Sequence, residues 1–200
     1  MTDYFALFNE PRRPCLDAEA LKQKFLALST TVHPDRAHNL GAAERAAAQE
    51  RYTELNTAYN CLREPKERLH HLLQLELGVL PKDIQRIPSD LMDLSLEVGK
   101  ACREADAFLA EKAKATSPLL QVTFFERGQE FADKLQAIRQ RVNSLNDRLL
   151  EELQQIDAAW QSGAAPRPSL LQRLEQLFRL FSYFARWTAQ MQERVVRLSF

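Results

Sequence analysis

Leu21, Phe25, Leu28 and Val32 recur at steps of four, three and four residues, which lines them along one face of an α-helix. Pro34 dictates where that helix must end. Proline has no N–H to donate, and its ring pushes the preceding residue out of helical backbone. The spacing therefore predicts a helix that opens after Asp17, a favoured N-cap residue type, and stops at His33. A second amphipathic stretch from Ala42 to Leu62 carries a matching stripe of Leu55, Ala58, Tyr59 and Leu62. Two antiparallel helices joined across His33-Pro34-Asp35 would bury the two stripes against each other. An imidazole and a carboxylate are then left on a stiff, exposed corner.

The rest of the chain reads as helix too. It holds only 5 glycines in 200 residues, too few for a protein built from many hairpins, whose tight turns draw on glycine. Tyr4, Phe5, Leu7 and Phe8 form a small apolar cluster, followed by a Pro11 to Pro14 connection. Pro65 suits the first turn of a further helix, with Leu69, Leu72, Leu73 and Leu77 inward and Gly78 as its stop. Val79 to Ser89, with Pro81 and Pro88, lacks helical periodicity and reads as a linker.

Three long helical patterns come next. One runs from about Asp90 to Ala113, with Leu91, Leu94, Val98, Ala101, Ala105 and Phe108 on its seam. Thr116-Ser117-Pro118 breaks it and caps a second, which carries Phe131, Leu135, Ile138, Val142, Leu145, Leu149, Ile156 and Trp160 at heptad-like steps. Ser162 to Ser169 forms a turn, and the last helix shows Leu170, Leu174, Leu177, Phe181, Phe184, Met191 and Val195. Such helices with short turns fold most simply as an antiparallel bundle. The expectation is an all-α protein: residues 1–78 as a helical hairpin with short flanking helices, 79–89 as linker, and 90–200 as an antiparallel three-helix bundle.

Composition narrows the function. Lys plus Arg and Asp plus Glu each number 27, so the formal net charge is zero. That argues against a strongly electrostatic nucleic-acid partner. Cys15, Cys61 and Cys102 are odd in number and widely spaced, with no Cys-x-x-Cys, which fits unpaired core thiols in a reducing compartment and no zinc knuckle. The chain opens directly on Asp3-Tyr4-Phe5 without a charged and then apolar leader, and no stretch is apolar enough to span a bilayer. A cytoplasmic protein without a membrane partner is expected. No nucleophile–base pair, phosphate loop or metal-ligand cluster is present, so neither catalytic residues nor a cofactor are expected. His38, His70 and His71 read as surface or capping residues, and Phe181, Tyr183, Phe184 and Trp187 as core.

One block of motifs is more specific. Asp3-Tyr4-Phe5-x-Leu7-Phe8, then Leu16-Asp17-x3-Leu21-x3-Phe25-x2-Leu28, then His33-Pro34-Asp35 resembles the J-domain of the HscB co-chaperones. The resemblance continues through Asn56-x-Ala58-Tyr59-x2-Leu62-x2-Pro65-x2-Arg68-x3-Leu72-Leu73-x-Leu75 and the Gly78 that follows. It covers most of the first 78 residues. Beyond it, the length and pattern resemble the family's C-terminal bundle, with Leu91-Met92 and the acidic Asp93 as the sharpest motif.

The resemblance implies a non-enzymatic co-chaperone of the bacterial type. Such a protein binds the iron–sulfur scaffold protein IscU through the bundle and delivers it to the DnaK-like chaperone HscA, stimulating ATP hydrolysis. It implies that Asp35 accepts a charge-assisted contact from an arginine of the chaperone, that His33 and Pro34 shape the loop, and that Lys22, Lys24 and Arg36 supply a basic face. Lys22 and Lys24 fit a merely solvated helix face equally well. Leu91, Met92, Leu96 and Glu97 are the implied scaffold contacts, although Leu91 and Met92 also adjoin the core seam. Two departures from the family pattern stand out. Thr30 and Val32 replace a basic residue and an aromatic before the tripeptide. The Leu96-Glu97 pair is displaced by one residue, about 100° round the helix.

Overall fold

The computed structural model describes residues 2–32, 41–79, 87–114 and 118–199, the stretch 118–122 by backbone alone. Among them every regular element is helical: α1 (Tyr4–Leu7), α2 (Ala18–Val32), α3 (Ala42–Arg63), α4 (Pro65–Leu77), α5 (Met92–Lys112), α6 (Pro118–Ser162) and α7 (Arg167–Leu198). The expected Thr116-Ser117 cap and most of the expected linker lie outside the described residues.

Helix boundaries follow local chemistry. Asp3 caps α1, its Oδ1 accepting the N–H groups of Phe5 (3.0 Å) and Ala6 (3.2 Å), which the helix itself leaves without partners. Asp17 does the same for α2, accepting from Ala20 N–H at 2.7 Å. Pro65 begins α4, and Gly78 ends it in the left-handed region at φ 70°, with its N–H returned to the Gln74 carbonyl. A side chain there would strain the backbone.

The chain divides into two compact units, residues 1–82 with 152–178 and residues 83–151 with 179–200, so α6 and α7 contribute to both. In the first, Phe5 and Phe8 from α1, Leu21 from α2, Leu55, Ala58 and Leu62 from α3, and Leu69, Leu72 and Leu73 from α4 are buried. Phe25 and Tyr59 stack across α2 and α3 with ring centroids 4.3 Å apart, so the expected stripes do meet. In the second, one cluster unites Leu94, Val98, Ala101, Ala105 and Phe108 of α5 with Leu135, Ile138 and Val142 of α6 and Phe184, Trp187, Met191 and Val195 of α7. Tyr183 and Trp187 belong to this core, as their spacing predicts.

Five details differ from the sequence expectations. Leu77 is 41% exposed rather than inward, because the packed face of α4 ends a turn earlier at Leu73 and the chain beyond is exposed as well. The pattern expected from Asp90 starts as a 3₁₀ turn, Ser89–Leu91, and becomes α-helical at Met92. The turn expected over 162–169 is shorter. Arg167 already opens α7, with Ser169 and Leu170 N–H both on the Pro166 carbonyl, since proline in a first turn forfeits no helical bond. Of the three thiols only Cys102 is fully buried, while Cys15 and Cys61 are intermediate.

The fifth concerns His71, which is buried, not at the surface. Its capping role holds, at α1: Nε2 accepts the Tyr4 N–H at 3.1 Å, and the ring stacks on Tyr4 (4.4 Å) and Phe5 (5.8 Å). Burial holds the His71 pKa below the ordinary histidine value.

Candidate functional site

The first candidate surface is the corner between α2 and α3. α2 runs to Val32, the residue before His33, and α3 begins at Ala42. His33, Pro34, Asp35, Arg36 and His38 lie outside the described residues. Gly41 leads into α3, its N–H held by Glu44 Oε2 at 3.1 Å.

The two lysines of the anticipated basic face have separate fates. Lys22 is exposed, with Glu19 one turn back at 3.9 Å. Lys24 is half-exposed and turned toward the segment after α1, where its Nζ meets Glu10 Oε1 at 2.6 Å and the Asn9 carbonyl at 3.2 Å. Both cations therefore carry a local counter-charge. Leu26, on the same helix, is an exposed apolar side chain.

The second candidate surface is the outer face of α5. Leu91 is 8% exposed and belongs to the bundle core, whereas Met92 (43%) and Leu96 (63%) are open to solvent. The reason is helical phase. Leu91 lies close in phase to the buried Leu94 and Val98, while Met92 and Leu96 stand four residues apart on the opposite side. The structure thus joins Met92 with Leu96 and separates both from Leu91. Glu97 flanks them, its two carboxylate oxygens accepting from Arg141 Nη1 of α6 at 2.7 and 2.8 Å.

A third constellation went unseen in the sequence. The Asp157 carboxylate of α6, almost fully buried, accepts from Arg13 Nε at 3.1 Å and from Arg13 Nη2, from the Cys15 N–H at 3.0 Å, and from Gln161 Nε2 at 2.8 Å. One helical turn on, Trp160 Nε1 donates to the Arg12 carbonyl at 2.9 Å. Arg68 is buried beside them, giving Nε to the Pro14 carbonyl (2.7 Å) and Nη1 to the Leu62 carbonyl (2.6 Å). Burial disfavours the Arg68 charge and lowers its pKa, whereas the hydrogen bond to Asp157 raises that of Arg13. The Pro11–Pro14 connection is thereby pinned to α6 inside the first unit. The only sequence signal was a charged residue beside the Ile156–Trp160 seam, with Arg13 and Cys15 more than 140 positions away.

Burial pushes the Cys61 thiol up to about 11, with Glu67 adding to the effect, and it raises Cys15 and Cys102 as well, so the thiolate needed for nucleophilic attack is disfavoured at each. Among the described residues no group of three His, Cys, Asp or Glu side chains could hold a metal ion. No helix among them is long and apolar enough to cross a membrane.

No protein-family model matches the chain. Among curated proteins it is 29% identical over 160 residues to a Bordetella avium protein, an alignment covering 80% of this chain and 86% of that protein, and 32% identical over 106 residues to one from Chromobacterium violaceum, covering 52% and 61%. Both relatives are named co-chaperone protein HscB homologues. Among solved structures, chaperone HscB from Vibrio cholerae aligns over the whole of both chains with a TM-score of 0.64 at 20% identity. Human co-chaperone protein HscB aligns over 96% of this chain and 82% of its own, with a TM-score of 0.66 at 18% identity.

The fold therefore defines the class: an all-helical protein with a J-domain and a C-terminal helical bundle. Together with the sequence relatives, it makes this chain a homologue of the HscB co-chaperones.

Proposed function

We propose that this protein is a cytoplasmic, non-enzymatic co-chaperone of iron–sulfur cluster assembly. In this reading it binds the scaffold protein IscU, presents it to the DnaK-like chaperone HscA and stimulates that chaperone's ATPase. Residues 1–78 carry the chaperone-facing work and 90–200 the scaffold-facing work, joined by 79–89. Neither nucleic acid nor membrane takes part.

The observation that carries this reading is kinship with HscB co-chaperones over 80% of the chain. The helical frame supports it. α2 ends one residue before His33-Pro34-Asp35, where a carboxylate can accept a charge-assisted bond from an arginine of the chaperone. With Lys22 and Lys24 both matched by nearby acids, Asp35 and Arg36 supply the specific polar contacts, and the lysines tune encounter and register. On α5, Met92 and Leu96 form the apolar contact for the scaffold, Glu97 borders it, and Leu91 supports it from the core. Methionine suits such a surface because its flexible thioether adapts to the partner.

A second reading, a J-domain adaptor for a different client, is favoured by one observation: the apolar pair on α5 is Met92 with Leu96, not Leu91 with Met92. Calorimetry with purified IscU separates the two. Binding that Leu96→Ala weakens supports the scaffold role; absence of binding alongside preserved ATPase stimulation supports the adaptor.

A further inference from the structure

The outer stripe of α5 continues past its apolar pair. Helical spacing places Met92, Leu96, Gly99 and Arg103 in one line. Arg103 is exposed and, among the described residues, has neither an ion pair nor a hydrogen-bond partner. Of the charges flanking the line, Glu97 is engaged by Arg141 at 2.7 Å, and Glu104 by Lys134 at 2.6 Å and Lys100 at 3.9 Å, while the exposed Asp93 beside Met92, at the far end of the line, has no ion pair among the described residues. Arg103 thus leaves an unmatched positive charge on this part of the face.

Its side chain lies against a glycine. A Cβ at Gly99 would stand 3.4 Å from Arg103 Nη1, so the guanidinium lies back over bare helix backbone toward Leu96. This is the direction in which helical side chains lean. With no side chain at 99, the cation lies low on the helix beside the apolar pair.

We propose that Arg103 extends the client surface of α5 and selects a client segment that sets a carboxylate about one helical turn from the apolar side chains seated on Met92 and Leu96. This rests on the reading of α5 as the client surface and adds the partner's chemistry to it. A guanidinium offers a planar fork of donors that a carboxylate fills, and Glu104 beside it is hydrogen-bonded to Lys134 and forms no ion pair with Arg103. The Met92–Leu96 pair supplies the apolar area, and Arg103 fixes direction and register along the helix.

The test is calorimetric titration of the full-length protein with purified IscU. Arg103→Ala should weaken binding about tenfold, the loss of one charge-assisted contact, and Arg103→Glu by more. Arg103→Lys should retain more affinity than Arg103→Ala, and the gap between wild type and Arg103→Glu should narrow as salt rises. Gly99→Leu, which displaces the guanidinium, should reproduce much of the loss. Helicity and melting temperature should stay unchanged for the Arg103 variants, since the side chain holds nothing in the fold. Wild-type affinity in Arg103→Glu alongside a weakened Leu96→Ala overturns the role of Arg103 and leaves the α5 surface standing. No binding by the wild type overturns both.

Discussion

Removing the Asp157 carboxylate should unfasten the Pro11–Pro14 connection from α6. Four donors converge on this group: two from Arg13, the Cys15 N–H and Gln161 Nε2. Its side chain is 6% exposed, that of Arg13 29%. Deleting one partner of a buried ion pair costs about 3–5 kcal/mol, and a stranded buried N–H such as that of Cys15 costs about 1–3 kcal/mol. Arg13 and Gln161 can turn partly to solvent, so the low end applies, and Asp157→Ala should destabilise the first unit by about 3 kcal/mol. For a chain of this size that is a fall of about 6–12 °C in melting temperature.

Trp160 lies in the first unit and Trp187 in the second, so urea unfolding followed by fluorescence in a Trp187→Phe background reports the first unit. Arg13→Leu together with Asp157→Leu should cost far less than the sum of the single changes, because no unpaired charge remains buried. An Asp157→Ala variant within about 0.5 kcal/mol of its parent, the range of an ordinary surface change, would refute the reasoning.

The α5 substitutions should divide by helical phase. Leu91→Ala should cost about 2–4 kcal/mol as a core truncation, while Met92→Ala and Leu96→Ala should change stability by less than about 0.5 kcal/mol yet weaken scaffold binding; chemical denaturation and calorimetry read the two effects. His71 should impose a pH dependence. Its folded pKa lies below the ordinary value of 6.5, so its contribution is complete above that pH and drains away as pH falls below it toward the folded value, when protonation also takes Nε2 from the Tyr4 N–H. Denaturation across that window should show a slope that His71→Gln reduces; an identical slope in the variant contradicts the assignment.

The helices were legible wherever a local rule governs. Asp17 as a cap, Pro65 at a helix start, Gly78 at a helix end, and the stripes from Leu21 to Leu62 and from Leu94 to Val195 depend on neighbours within a few residues. His71 does cap, one of its two expected roles, but its burial was not legible because its partner is the N-terminus of another helix, 67 positions away. Asp157 and Arg68 were missed for the same reason: a buried charge cannot be told from a solvated one until the carbonyls and N–H groups of Arg12 to Cys15 have been brought to it. For the candidate site, the resemblance put Leu91, Met92 and Leu96 forward together, and helical phase leaves Met92 and Leu96 exposed while Leu91 is buried. Arg103 has no sequence signature. Its significance comes from its place in line with Met92 and Leu96, where it is exposed and makes no ion pair among the described residues.

The measurement that bears most directly on the co-chaperone assignment is the steady-state ATPase rate of the cognate DnaK-like chaperone with this protein added, with and without IscU. Wild-type protein should raise the rate, Asp35→Asn should abolish the rise while scaffold binding persists, and Leu96→Ala should spare the rise but lose the further stimulation by scaffold. A chaperone rate indifferent to the wild type, or raised equally by Asp35→Asn, contradicts the assignment.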